Sequence, residues 1–387
     1  MISGKTIVMI ATVPWSSAWQ RQQELARQFA AHNQVLYVEP MGMRNHGPIA
    51  LMTKLLKIQK RGRNPSYRHK IGADRSVNIR HIKLAFIPWH GVGWINRFNG
   101  RWLSRQLRRQ LPGEQCQMLF WVCNPSDTVL ALCQEFPRVV LVYDIAMRFA
   151  KRADAPAYLT SSQTGIAHRA NAIFYDNAAS LEDLPNAIRE KAHFVPQGLH
   201  DCFYELIENK ASVRTYSALS SIPHPRIGFV GAGHDAFDID LVRSIVKELP
   251  DAQVVLAGIF DEASRLEHPR VHYVGAVPLH LVPTLLVGLD VGIIPYLINE
   301  YTAGVFPTKF FEYLAAGLPI VSTPLPELNR YKDYLTIALP EQFTEALAKA
   351  LQRGPLSPDR KFLNEQSWSV RFAKIEAILR PILMNQT

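Results

Sequence analysis

The chain has 387 residues, 48% hydrophobic and 20% charged, with 43 Lys and Arg against 33 Asp and Glu and a net charge of +10. That length is too great for one ordinary core and suits two domains, and that composition excludes a disordered chain. Four cysteines (Cys116, Cys123, Cys133 and Cys202) with no C-x-x-C spacing exclude a disulfide framework and fit buried thiols in a reducing compartment.

Near the N-terminus, Lys5 precedes the apolar run 7–13. Pro14 and Trp15 end that run and an amphipathic pattern follows, so it is expected to be a first strand rather than a signal-peptide core. "WQRQQELARQFAAH" has the helical period, with Leu25, Ala26 and Phe29 on one face, and "QVLYVEP" reads as the next strand. From Arg44 to Arg109 sixteen Lys and Arg face the single acid Asp74, a net of +15 that leaves the other residues at −5. Trp89, Trp94, Phe98 and Trp102 are interleaved there, and "LMTKLLKIQKRGR" has the pattern of a short basic amphipathic helix. Such a face suits an anionic membrane surface; nucleic acid is not the expected partner.

"QMLFWVCNP", "RVVLVYDI", "NAIFYDN" and "AHFVPQG" then have the composition of buried strands. A polar, Ser-rich, Pro-bounded stretch, "NKASVRTYSALSSIPHP", reads as a linker. The pattern restarts with "PRIGFVGAG", a strand ending in glycines, and the helix "DIDLVRSIVKELP". "AQVVLAGI", "VHYVGAV", "DVGIIPY" and "PIVST" are further strands. The apolar run 281–298 carries Asp290 and prolines near its ends, so a helix followed by a buried strand is expected there, not a membrane span. "SWSVRFAKIEAILRPIL" closes the chain as an amphipathic helix.

Strands alternating with helices predict α/β architecture, two doubly wound, Rossmann-like domains facing across a cleft; the C-terminal helix is separately expected to cross back to the first domain. The expected boundaries are 1–203 for the first domain, 204–224 for the linker, 225–365 for the second domain and 366–387 for the returning helix.

One segment, "GVFPTKFFEYLAAGLPIVSTPLPEL", places two charges inside an apolar run. Thr308 is expected to cap a helix that runs from Lys309 to Ala316, with Gly317 at its C-terminal end and Pro307 stiffening its entry. Its free N–H groups and the Lys309 ammonium would hold a phosphate. Glu312, one turn deeper on the same face, would accept hydrogen bonds from the vicinal hydroxyls of a sugar. A surface ion pair would be worth only a few tenths of a kcal/mol and would not explain charges among Phe310, Phe311, Tyr313 and Leu314.

This segment resembles the donor-binding segment of GT-B-fold glycosyltransferases, the group-1, family-four-like enzymes of bacterial surface polysaccharide assembly. "PRIGFVGAGHDAFDIDLV", "VVLAGIF", "VHYVGAVPLHLVPTLL" and "LDVGIIPYLINEYT" follow the order of that family's nucleotide domain, and "AHFVPQGLHDCFY" is similar to the close of its first domain. The resemblance implies a pyrophosphate-side loop at Gly231 and Gly233. It implies a base pocket for a uracil ring at Gly258, Ile259, Phe260, Tyr273 and Val277, and a loop over the donor sugar at Tyr301, Thr302, Ala303 and Gly304. Lys309 would stabilise the leaving diphosphate without a metal, with Arg21 as a second positive group. Asp144 is the first candidate base and His90 the second; Asp127 also remains. Two departures stand out: Gly304 occupies the place of a family glutamate, and Met147 that of a carboxylate.

The resemblance therefore implies transfer of a sugar from a nucleotide diphosphate, expected to be UDP, to a hydroxyl of a saccharide or lipid-linked saccharide. The nucleotide-sugar is a co-substrate; no cofactor and no metal are expected. The expected place is cytoplasmic, peripheral at the inner face of the cell membrane. A nucleotide-sugar epimerase of the same architecture and a catalytically degenerate binding module remain alternatives. No G-x-x-x-x-G-K-[ST], H-E-x-x-H or G-x-S-x-G occurs, which removes P-loop, zincin and α/β-hydrolase chemistry.

Overall fold

The computed structural model describes residues 1–45, 78–111, 117–145, 147–152, 154–233, 236–357 and 359–385. The described residues separate into two units, 1–195 with 372–387 and 196–371. The expected amphipathic helix of "LMTKLLKIQKRGR" lies outside the described residues.

The first unit is built on seven strands: β1 (Thr6–Ile10), β2 (Gln34–Val38), β3 (Ile79–Ile82), β4 (Met118–Val122), β5 (Val140–Ile145), β6 (Ala172–Tyr175) and β7 (Ala192–Phe194). They lie in the order β3-β2-β1-β4-β5-β6-β7, every pair parallel. β1 is buried along its whole length, as a central parallel strand covered on both faces must be. Chain order reverses between β1 and β4, and at such a switch point the carboxyl ends of the strands leave room for a ligand.

β8 (Arg226–Val230), β9 (Gln253–Ala257), β10 (Val271–Gly275), β11 (Val291–Ile294), β12 (Ile320–Ser322) and β13 (Thr336–Ile337) form the second sheet. Their order, β10-β9-β8-β11-β12-β13, is again all parallel and reverses between β8 and β11. The helix Ile239–Glu248 packs Leu241, Val242, Ile245 and Val246 inward and is capped by Asp238, whose carboxylate accepts from the N–H of Asp240 and Leu241.

Two strands have no counterpart among the expected ones. β3 is an edge strand whose Arg80 and His81 are exposed, so its sequence lacks the apolar run of its neighbours. β13 is two residues long. The linker expected at 204–224 is corrected: Leu206, Ile207, Leu219 and Ile222 are buried in the core of the second unit. A polar composition hid four apolar anchors spaced along it. The chain changes unit at 195–196, and from Phe372 on it lies in the first unit. There the Phe372 ring stands 4.8 Å from that of Phe29, and the Glu376 carboxylate accepts from the Ile2 N–H at 2.6 Å.

The helix Gly93–Arg108 packs tightly on Asp127–Gln134. A Cβ on Gly100 would stand 2.7 Å from the Ala131 carbonyl oxygen. Backbone cannot yield as a side chain can, so Gly100→Ala is expected to destabilise the protein by about 1–3 kcal/mol in urea unfolding, with no effect on donor binding to the second unit.

Candidate functional site

In the second unit, the ends of β8, β9 and β11 gather around Lys309. β8 runs into Gly231, whose N–H donates to the Ala257 carbonyl at 2.8 Å. A Cβ on Gly231 would stand 3.1–3.2 Å from the end of the Lys309 side chain, and one on Gly258 (φ +143°) would collide with the Gly231 carbonyl. Both glycines are therefore needed so that the backbone can run beside the ammonium.

Lys309 opens the helix Lys309–Ala315 and is 7% exposed. Its Nζ donates to the Tyr296 hydroxyl at 2.6 Å and stands 5.0 and 4.9 Å from the ring centroids of Phe229 and Tyr296. Among the described residues no carboxylate forms an ion pair with it. The helix is pinned by Tyr313, whose hydroxyl accepts from the Val230 N–H at 2.9 Å at the very end of β8. Its far end is fixed by Gly317 (φ +64°): Leu318 N–H donates to the Tyr313 carbonyl at 3.0 Å and Gly317 N–H to that of Leu314 at 2.9 Å.

Glu312, one turn on, is half-buried, and its carboxylate makes no hydrogen bond or ion pair with the described residues. Burial raises its pKa above the usual carboxylate range, while His200 and Lys309 work in the opposite direction. It is an acceptor group held without a donor. Pro307 and Gly304 are buried, Thr308 is partly exposed, and Tyr301 is 7% exposed.

Several expected roles are corrected. Thr308 does not cap the helix: its backbone is already helical (φ −54°, ψ −33°) and its side chain makes no capping bond. Thr302 is 1% exposed; its hydroxyl donates to the Leu297 carbonyl at 2.5 Å and accepts from the Asn299 N–H at 3.0 Å, so it shapes its own loop and offers nothing to a sugar. Phe260 is no open wall of a base pocket, because its ring packs edge-on against Phe229, Phe237 and Tyr273. Gly233 gives that ring its space. The Tyr273 hydroxyl accepts from the Leu266 N–H at 2.7 Å, and Arg265 covers its ring at 4.5 Å. Val277 packs against the core, and Ile259, 59% exposed, is the apolar side chain left open in this group.

The first-domain candidates are also accounted for. Arg21 Nε donates to both oxygens of Asp144 at 2.9 and 3.0 Å, Arg21 Nη1 to the Val195 carbonyl at 2.9 Å, and Trp121 Nε1 to Asp144 Oδ2 at 3.1 Å. Arg21 and Asp144 are 3% and 2% exposed. A carboxylate so held is the counter-ion of Arg21 and not a free base, and Arg21 is not a spare cation. His90 is 2% exposed, with Nδ1 2.6 Å from Asp127 Oδ1 and its ring stacked on Tyr158 at 5.6 Å. Its Nε2 is buried and has no hydrogen-bond partner among the described residues. Asp127 also accepts from the Gly91 N–H, from Asn96 Nδ2 at 2.6 Å and from the Thr128 N–H at 2.7 Å. These bonds, with the one to His90, hold the Asp127 carboxyl below its ordinary pKa despite burial. His90 and Asp127 thus tie a loop to a helix. Sequence reading missed Tyr296, Tyr313 and Phe229, whose sole signal was an aromatic near the end of β8 or β11 or on the Lys309 helix.

Two outcomes test these assignments. Breaking a buried, hydrogen-bonded ion pair costs about 3–5 kcal/mol, so Asp144→Asn and Arg21→Met should each lower the melting temperature sharply. Full stability of Asp144→Asn with abolished turnover would restore its role as base. For Glu312, the raised folded pKa means that the folded state binds its proton more tightly than the unfolded chain, whose carboxyl titrates near 4.5. Stability from this group is present at low pH and lost as pH rises through the folded pKa. Glu312→Gln should therefore stabilise the ligand-free protein at pH 7, less as pH falls toward 4.5, while weakening donor binding.

Residues 224–353 match the family described as Glycosyl transferases group 1. The chain is 26% identical over 292 residues to the putative teichuronic acid biosynthesis glycosyltransferase TuaH of Bacillus subtilis, covering 68% of this chain and 71% of that one. Sucrose-phosphate synthase of Thermosynechococcus elongatus superposes with a TM-score of 0.69 at 14% identity, over 98% of this chain and 100% of the other. HepE of Anabaena, solved with UDP-glucose, does so with a TM-score of 0.65 at 11% identity, over 97% and 99%.

Proposed function

We propose, for a chain of GT-B fold whose residues 224–353 match the group-1 glycosyl transferases, a transferase that moves a sugar from a uridine diphosphate donor to a hydroxyl of a saccharide or lipid-linked saccharide in surface polysaccharide assembly. The observation that carries this reading is the pair of unmet charges one turn apart, Lys309 and Glu312. The ammonium faces the Gly231 backbone, where a diphosphate can approach without a side chain between. The carboxylate accepts from the ribose hydroxyls, whose O–H groups supply the donors it lacks.

As the glycosidic bond breaks, negative charge grows on the departing diphosphate. Lys309, already desolvated and oriented by Tyr296, meets that charge with no reorganisation, and no metal is called for. Asp144 and His90 are both engaged elsewhere, which favours a departing phosphate oxygen as the acceptor of the hydroxyl proton. A uridine donor is supported by the ligand of HepE, and a surface-polymer acceptor by the likeness to TuaH. Among the described residues no helix is long and apolar enough to cross a membrane. The basic segment 44–109 supports a peripheral place on an anionic inner membrane surface.

The test is a thermal-shift screen of sugar nucleotides on the full chain. UDP and UDP-sugars are expected to raise the melting temperature, adenosine and guanosine diphosphates less. Lys309→Ala loses a charge-assisted contact and should bind UDP roughly ten- to a hundredfold more weakly. Equal stabilisation of wild type and Lys309→Ala by UDP would end this assignment.

A further inference from the structure

The helix Gly93–Arg108 has two unlike faces. Ile95, Asn99, Leu103 and Leu107 are buried. On the other side Trp94, Phe98 and Trp102, spaced i, i+4, i+8, are 65%, 49% and 38% exposed. Arg97, Arg101 and Arg105 repeat the same spacing on the adjoining stripe, all exposed and with no ion pair to the described residues. No Asp or Glu occurs from His81 to Arg109.

The platform under this face is built rather than loose. Asn99 brackets Ile87, accepting from its N–H at 2.9 Å and donating to its carbonyl at 2.8 Å. Gln106 does the same for Ala85 at 2.9 and 2.7 Å. Asp127 gathers His90, Gly91 and Asn96. The loop that carries Trp89, 57% exposed, is thereby fixed to the helix. Buried polar groups are spent on holding four large aromatic side chains in water, at a cost that nothing within the described chain repays.

We propose that this face is an interfacial membrane contact: Trp94, Phe98 and Trp102 enter the boundary between headgroups and acyl chains while Arg97, Arg101 and Arg105 bind anionic headgroups. The inference rests on the proposed function only in placing the acceptor at a membrane. Aromatic side chains beside arginines match the two layers of a bilayer surface, apolar below and anionic above. A second copy is disfavoured, because joining like faces would bring arginines against arginines. Binding then has two parts, an electrostatic one that salt screens and an apolar one that it does not. The N-terminal end of the helix lies beside Asp127, just past the carboxyl end of β4, so an acceptor carried by the same membrane is delivered at the ligand-binding edge of the first sheet.

The experiment is co-sedimentation of the full chain with vesicles of phosphatidylcholine alone or mixed with phosphatidylglycerol, at low and high salt. Wild type should favour the anionic vesicles by about tenfold and keep measurable binding at high salt, with a blue shift of Trp emission. Substituting Arg97, Arg101 and Arg105 by Gln should cost about fivefold per residue at low salt. Substituting Trp94, Phe98 and Trp102 by Ser should abolish the binding that survives high salt. UDP thermal shifts serve as the fold control and should match wild type in both triple variants. Equal binding by the serine variant, no preference for anionic lipid, or a wild-type dimer dissolved by the same serine substitutions would each overturn the proposal. Absent UDP stabilisation in wild type with intact vesicle binding would instead strike the donor assignment and leave this one standing.

Discussion

A buried ammonium that forms no ion pair with the described residues is the constraint on which the second unit turns. Taking an isolated charge out of water costs several kcal/mol, and Lys309 recovers part of that from the Tyr296 hydroxyl and from two ring faces. The surroundings then have to be exact in shape. Gly231 and Gly258 keep side chains out of its way, Tyr313 bolts its helix to the end of β8, and Thr323 fixes Tyr296 through hydrogen bonds to its N–H at 3.2 Å and its carbonyl at 2.8 Å. A core would gain stability from replacing such a lysine by a hydrocarbon. Its presence makes sense where an anion is the missing partner.

The first unit handles charge in the opposite way. Arg21 and Asp144 neutralise each other 123 residues apart in sequence, and Asp127 is satisfied by donors from a loop 36 or 37 residues away. Carboxylates that looked catalytic because they sit at strand ends are there because strand ends are where buried loops need anchors. A buried charge left without an ion-pair partner among the described residues is found in the second unit, at Lys309.

The alternation of apolar runs and helical periods made the parallel sheets readable, down to eleven of the thirteen strands among the described residues, because central strands must be apolar on both faces. β3 escaped since an edge strand is freed from that demand, and the stretch 204–224 escaped since its few apolar anchors are diluted by serine. Lys309 and Glu312 were legible as charges in the wrong company. Tyr296 was not, because an aromatic at a strand end has no composition signal that separates a cage from a core. The Arg21–Asp144 pair was invisible for a different reason: local pattern says nothing about which distant side chain will arrive.

Unbalanced charge therefore marks function twice in this molecule, and by different chemistry. Inside the second unit it is a desolvated cation and a half-buried carboxylate, which the proposed donor would satisfy together through its phosphate and hydroxyl groups. Outside the first unit it is a row of hydrated arginines beside exposed rings, which cost little to leave in water singly and gain by meeting a surface that repeats anionic groups over an apolar layer. The first demands a small molecule of defined geometry; the second demands an extended surface with no geometry of its own. The proposed transfer from a dissolved nucleotide-sugar to an acceptor at a bilayer would use both kinds of site, and the chain carries them in separate units, the lysine and carboxylate in the second and the arginine row in the first.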